Sequence, residues 1–408
     1  MNLAPTRSET ARRGGRRVLA AALADSRART LALLDAYAAV LGEALTVPYS
    51  SQLNPPRWEA GHVGWFQDYW IARNRQRAMG IACDPDHRRA AGRLPGADAR
   101  YDSGKVAHAA RWQLELPDLA TTRADLAASL AQTLALLAVT PETDAELYFF
   151  RLALFHEDMH GEAGVYMAQA LDIPLPETLS GALPETLSGA RPETLFGALP
   201  EALSGPAGGV QQARALGIPA QRWTLGWHGD GFAFDNEIAA HEVALPAFEI
   251  DAEVVSWRRY LAFIDQTGAA PPRYLRRQGG RWQRRVFGRW EALPLDAPAE
   301  HLRWDEADAW CRWVGRRLPN EAEWELAALT RAEFRWGQVW EWTASRFTPY
   351  PGFAPHPYRD YSLPWFGERY VLRGASRATS PRMVHPRYRN YFTPERDDLY
   401  SGFRSCAR

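Results

Sequence analysis

The sequence predicts two unlike halves, an all-α bundle followed by an α+β domain, and three observations carry that division. Up to about residue 173, Ala and Leu recur at helical spacing. From about residue 221, short aromatic and β-branched runs broken by Gly, Pro and Asn take over. Between them "PETLSGALPETLSGARPETLFGALPEALSG" repeats an eight-residue unit in four imperfect copies from Pro176 to Gly205. The expected domains are therefore 1–173, a linker over 174–220, and 221–408.

In the first half the spacing predicts helices near 17–43, 58–77, 121–138 and 143–171. The first begins "RRGGRRVLAAALADSRARTLALLDAYAAVL", which looks like a basic leader ahead of an apolar run. Asp25, Arg27 and Arg29 interrupt that run while the helical period continues, so it reads as an amphipathic helix and not an export signal. Four such helices predict an up-and-down bundle, whose core is a usual place for a metal site. Each repeat copy is too short to bury a face and carries Pro and Gly. That predicts a flexible linker without a catalytic role. In the second half "VSWRRYLAFIDQTG" and "WDEADAWCRWVGRRLPNEAEWELAAL" keep a helical period among the strands.

Composition narrows the class. With 46% hydrophobic and 24% charged residues the chain reads as globular. Lys plus Arg equal Asp plus Glu at 48 each, so no global field draws nucleic acid or an anionic membrane. No run is long enough to span a bilayer. Cys83, Cys311 and Cys406 are odd in number and far apart, against a disulfide framework and in keeping with a cytoplasmic protein.

The chemistry centres on "LALFHEDMHGEAGVYMAQAL", where His156 and His160 stand four residues apart. On a helix that spacing is about 40° of rotation, so both imidazoles leave one face and can chelate one ion. Glu162 lies around the helix from that face and suits a hydrogen bond to a neighbouring element. The best candidate for the third ligand is His62, in the tryptophan-rich "NPPRWEAGHVGWFQDYW", the alternative being a histidine hydrogen-bonded near the helix start after Pro55 and Pro56. Two other readings stand beside this one. HEDMH also matches the H-E-x-x-H of zinc peptidases, with Glu157 as general base, although no further ligand-bearing extension follows it. A metal-free bundle fused to a binding module is the other.

A lone histidine on an early tryptophan-rich helix, then H-x3-H-x-E on a later one, resembles the DinB-like bundle of a known family. That family is the non-haem iron sulfoxide and selenoxide synthases of ergothioneine, ovothiol and selenoneine biosynthesis. The second half resembles their formylglycine-generating-enzyme-like (C-type-lectin-like) domain in five stretches, in order. These are "FAFDNEIAAHEVALPAFEID", "GRRLPNEAEWELAA", "GQVWEWTASRFTPYPGF", "YVLRGASRATSPRMVHPRYRN" and "SGFRSCAR". The resemblance implies Fe(II) on His62, His156 and His160, O2 as co-substrate, and hercynine as the acceptor whose C2 takes sulfur or selenium. Three neutral imidazoles would leave Fe(II) its full charge and open positions. The resemblance also places hercynine beside Asn390 and Tyr391. It assigns an acid to a tyrosine, for which Tyr350 in "YPGF" is chosen ahead of Tyr358 and Tyr391. Formylglycine generation itself needs a late cysteine pair; only Cys406 stands there, and it reads as a small buried hydrophobe.

The chalcogen donor is read from departures. Typical ergothioneine synthases carry H-x-x-Q-H-Q-E; here Met159 and Gly161 replace the glutamines. "YDSGKVAHAARW" and "HEDMHGEA" look more like the selenoneine synthases. Phe392 stands where the family places an acid, and His108 and Arg111 where it places an arginine pair. An uncharged donor suits such a site, because burying unpaired charges costs several kcal/mol. Asp102, Ser103, His108 and Arg111 are then expected to meet sugar hydroxyls, unless Asp102 and Ser103 merely cap a helix. The expectation is a 1-selenosugar donor giving selenoneine through a selenoxide. The alternative is a thiol donor such as γ-glutamylcysteine.

Overall fold

Local caps explain where the helices begin. In the computed structural model, which describes residues 6–180, 187–188 and 213–408, Thr6 and Glu9 close a capping box on α1 (Arg7–Arg13). The bundle itself is α2 (Arg16–Leu41), α3 (Pro56–Gln67), α5 (Leu119–Val139) and α6 (Asp144–Ala170), with the short α4 (Ala97–Tyr101) between α3 and α5. Pro56 is pre-set for the first turn of α3. Asp118 accepts from Thr121 N to start α5, and Thr143 accepts from Glu146 N to start α6. All four expected helices are present.

The second one stops early. After Gln67 the helix widens into a π turn over Asp68–Ala72, with Arg73 N–H reaching the Asp68 carbonyl. Asn74 then accepts from Gln76 N, a side-chain bond that competes with further helix. The apolar pattern to residue 77 continued past that break, so its periodicity alone overran the helix end.

Helix α6 is buried on nearly all sides from Leu147 to Asp158, because α2 covers one face and the second domain another. Chain packing continues past residue 173 into α7 (Glu177–Ser180), where Leu179 is buried. The rest of the repeat linker, apart from β1 (Leu187–Ser188), lies outside the described residues.

The second domain opens with β2 (Ala215–Ile218), ahead of residue 221, followed by β3 (Gln221–Leu225), β4 (His241–Leu245) and β5 (Phe248–Asp251). Strand β2 pairs antiparallel with β5, and β3 with β4. After α8 (Trp257–Thr267) comes an antiparallel meander of β6 (Leu275–Gln278), β7 (Arg281–Val286) and β8 (Arg289–Ala292). Helices α9 (Trp304–Trp313) and α10 (Glu321–Thr330) precede β9 (Arg335–Trp336), which pairs with β1. The central sheet has the order β12 (Asn390–Phe392), β11 (Tyr370–Gly374), β10 (Trp340–Arg346), β13 (Ser401–Gly402), with only β10 and β13 parallel. The tail is core: Arg404 pairs with Glu341, and Cys406 is fully buried with its thiol pushed well up by that burial.

Buried polar contacts fasten the two halves together. Arg12 grips Glu237 with two hydrogen bonds of 2.8 and 3.0 Å, both side chains essentially inaccessible. Arg382 grips Asp158 at 2.8 and 3.0 Å. Glu162 Oε1 accepts from Trp340 Nε1 at 2.7 Å, Ser376 Oγ at 2.7 Å and Thr379 Oγ1 at 2.8 Å. The back of α6 is thus clamped by the second domain while its other face carries the histidines. No described helix is long and apolar enough to cross a membrane.

Candidate metal centre

Helix α6 presents His156 and His160, and α3 crosses it to present His62. Nε2 of His156 lies 3.2 Å from Nε2 of His62 and 3.2 Å from Nε2 of His160. Those three atoms form the one group of three or more His, Cys, Asp or Glu ligands found among the described residues, all within 4.8 Å of one another. His62 Nδ1 donates to the Tyr101 carbonyl at 2.7 Å, which leaves Nε2 as the bare lone pair. His160 Nδ1 meets Glu59 Oε2 and is oriented in the same sense. Trp58 stacks on His62 at 4.8 Å and Phe66 on His156 at 3.5 Å, so two rings are wedged in place.

Burial keeps His62 and His156 neutral. Burial first, then the neighbouring His160, pushes His62 down to about 3. Burial likewise puts His156 well below its ordinary value. Burial would raise Glu59, but His160 outweighs it and holds the carboxylate at about 2. Three imidazole nitrogens aimed at one point, with the outer nitrogens of His62 and His160 fixed by Tyr101 and Glu59, fit a divalent transition metal such as Fe(II).

Gly61 is part of that fit. A Cβ there would fall 2.3 Å from the Tyr101 ring, whose backbone carbonyl orients His62. Gly61→Ala is therefore expected to weaken metal binding by roughly 10- to 100-fold, the usual effect of losing an orienting partner. Isothermal titration with Fe(II) under argon checks it, and unchanged affinity would count against the His62–Tyr101 bond.

The other expected residues fall into three groups. Near the triad, Met159 accepts from Tyr388 Oη at 3.5 Å, and Tyr388 Oη also contacts Tyr361 Oη at 3.1 Å. Arg111 lies 4.0 Å over Trp58 and donates to Asn54 at 2.7 Å. His108 bonds the Leu53 carbonyl at 2.9 Å beside Tyr49 and Trp112. The Ser103 side chain lies by the Tyr358 hydroxyl, while Asp102 accepts from Gly104 N and Lys105 Nζ in a local turn.

Farther out, Tyr391 stacks on Phe347 at 3.8 Å and is joined to the triad through Tyr361 and Tyr358. Asn390 Oδ1 accepts from Tyr391 N, and Phe392 lies under Arg396.

Tyr350 belongs elsewhere. Its hydroxyl donates to Glu321 at 3.1 Å and Arg389 covers its ring at 3.9 Å, inside the second domain's core. An ion-paired network claims it, and the ring beside the triad is Tyr358, 6.0 Å from His156 and 4.9 Å from Phe66. Glu157 is also withdrawn: Arg27 binds it at 2.7 and 3.1 Å and Thr30 at 2.8 Å, so it is no base for a metal-bound water. Sequence reasoning missed Glu59 as a partner of the triad. Its position three residues before His62, hence on the same face of α3, was the available signal.

Comparison with known proteins agrees with both halves. Residues 22–167 match the DinB superfamily, and residues 206–338 and 335–408 match the sulfatase-modifying factor enzyme 1-like domain. The hercynine oxygenase of Mycobacterium tuberculosis is 32% identical, over 95% of this chain and 97% of its own. That of Mycolicibacterium smegmatis is 30% identical over 95% and 98%. The formylglycine-generating enzyme of Streptomyces coelicolor is 26% identical over 50% of this chain and 92% of its own. With both domains in the same order as in relatives matched almost end to end, the chain belongs to the hercynine oxygenase family.

Proposed function

We propose that this protein uses Fe(II) and O2 to join the selenium of a 1-selenosugar to C2 of hercynine, giving selenoneine by way of a selenoxide. The observation that carries the reading is the convergence of three Nε2 atoms from His62, His156 and His160 in a chain of this family. When bound, Fe(II) supplies oxygen activation and a template on which both substrates meet. The residues around it do the rest. Trp58, Phe66 and Trp70 keep the inner side of the site apolar. Tyr358 holds a proton at Oη beside His156, because burial raises its phenol far above neutral pH. Tyr361, Tyr388 and Tyr391 form a buried aromatic cluster of the kind that suits a trimethylammonium group, with Asn390 at its edge.

The donor reading rests on what replaces charge. Phe392 offers no carboxylate to an ammonium group, and His108 stands in for a cation. Burial lowers the His108 pKa, which favours its neutral form. One observation favours the thiol alternative: Arg111 makes no ion pair among the described residues and is available to a carboxylate such as that of γ-glutamylcysteine. Competition decides between them. With iron-loaded protein, hercynine and O2, equal concentrations of a 1-selenosugar and γ-glutamylcysteine are expected to yield the selenium product in excess, read by mass spectrometry. Preference for γ-glutamylcysteine would leave an ergothioneine-type sulfoxide synthase.

A further inference from the structure

The three imidazoles differ at their outer nitrogens. His62 faces a neutral carbonyl, that of Tyr101. His160 faces a carboxylate, that of Glu59, whose side chain is 13% exposed. The first turn of α3 supplies this carboxylate, three residues before the ligand His62 on the same helix. One helix thus provides one ligand and orients another. The chain of contacts continues outward. Glu59 Oε1 accepts from Asn54 Nδ2, and Asn54 Oδ1 accepts from Arg111 Nη1 at 2.7 Å. Arg111 then lies over Trp58, which stacks on His62. A closed loop of contacts runs from one ligand to the side of the site where Arg111 stands, and back to a second ligand.

We propose that Glu59 is a positioning residue that makes His160 the electron-rich member of the triad and, through Asn54, couples it to Arg111. The inference rests on reading the triad as an Fe(II) site. The two Glu59 oxygens are taken by His160 and Asn54, so it acts on the metal through the imidazole and does not ligate it. A carboxylate at Nδ1–H makes Nε2 a better donor and fixes the ring. It returns part of the negative charge that an all-imidazole set lacks, and so favours the more oxidised metal. Loss of that charge should therefore raise the Fe(III)/Fe(II) midpoint potential, an effect that a purely structural role would not produce.

The test uses the full chain with Glu59→Gln, Glu59→Asp and Asn54→Ala, titrated anaerobically with Fe(II) and with Co(II), then poised electrochemically. Glu59→Gln is expected to take up one metal with roughly 10- to 100-fold weaker affinity, and with an upward shift in potential. Glu59→Asp should recover most of both, and Asn54→Ala should move both in the direction of Glu59→Gln by less. If wild-type protein binds neither metal, the triad reading falls and this inference with it. If wild type binds metal and Glu59→Gln matches it in affinity and potential, the inference alone is wrong. Should Glu59→Gln fail to fold, Asn54→Ala carries the same comparison, and an unchanged potential there overturns the coupling.

Discussion

His156→Ala should leave a folded chain that retains no stoichiometric Fe(II) and shows no oxygen-dependent turnover. His156 is the middle donor: its Nε2 lies 3.2 Å from each of the other two, so its loss leaves two nitrogens without the atom that joins them. Losing an orienting partner already costs 10- to 100-fold in affinity, so losing a ligand should cost roughly 100-fold or more. Metal analysis after anaerobic reconstitution reads this directly, and full iron in the variant would end the three-histidine assignment. The apoprotein offers an independent check. His62 falls from its ordinary 6.5 to about 3 on folding, mainly through burial. Between those values the unfolded chain takes up a proton that the folded chain refuses. Stability from this group is therefore fully present above pH 6.5 and is lost as pH falls towards 3, at about 1.4 kcal/mol per pH unit. His62→Ala should flatten the acid limb of the apoprotein's stability curve, measured by urea unfolding at several pH values.

What the sequence disclosed follows from how local each signal was. The bundle was legible because its helices carry their own starts, Thr143 before α6 and Asp118 before α5, and a regular apolar period. His156 and His160 were legible as a pair by spacing, and His62 by its tryptophan-rich surroundings together with the family pattern. Glu59 could be placed on the face of His62 by spacing, but its role could not be read, because it depends on His160, which lies 101 residues away on another helix. The π turn that ends α3 near residue 72 left no mark in the apolar pattern. The tyrosines were the hardest. Tyr350 and Tyr358 lie in irregular chain without a period, and the Glu321–Arg389 pair that draws Tyr350 into the second domain joins residues 68 apart.

That contrast yields the second large effect. Tyr358→Phe should lower turnover by roughly 10²- to 10⁴-fold, the range for losing a positioned general acid, while iron content stays at the wild-type level. The ring is kept, so its packing on Phe66 and Trp70 survives and only the hydroxyl at Ser103 is lost. Burial raises this phenol well above neutral pH, so it is protonated throughout the working range and its removal should cost turnover at every pH tested. Tyr350→Phe should behave in the opposite way. It loses a hydrogen bond to the Glu321 carboxylate, worth about 1.5–3 kcal/mol for a charged partner, and so lowers the melting temperature. Its turnover should stay within a few-fold of wild type, since its ring lies in the second domain's core with His241 and Arg389. Full turnover by Tyr358→Phe would remove Tyr358 from the reaction. A collapse of turnover in Tyr350→Phe at an unchanged melting temperature would return the acid to the position that the "YPGF" stretch first indicated.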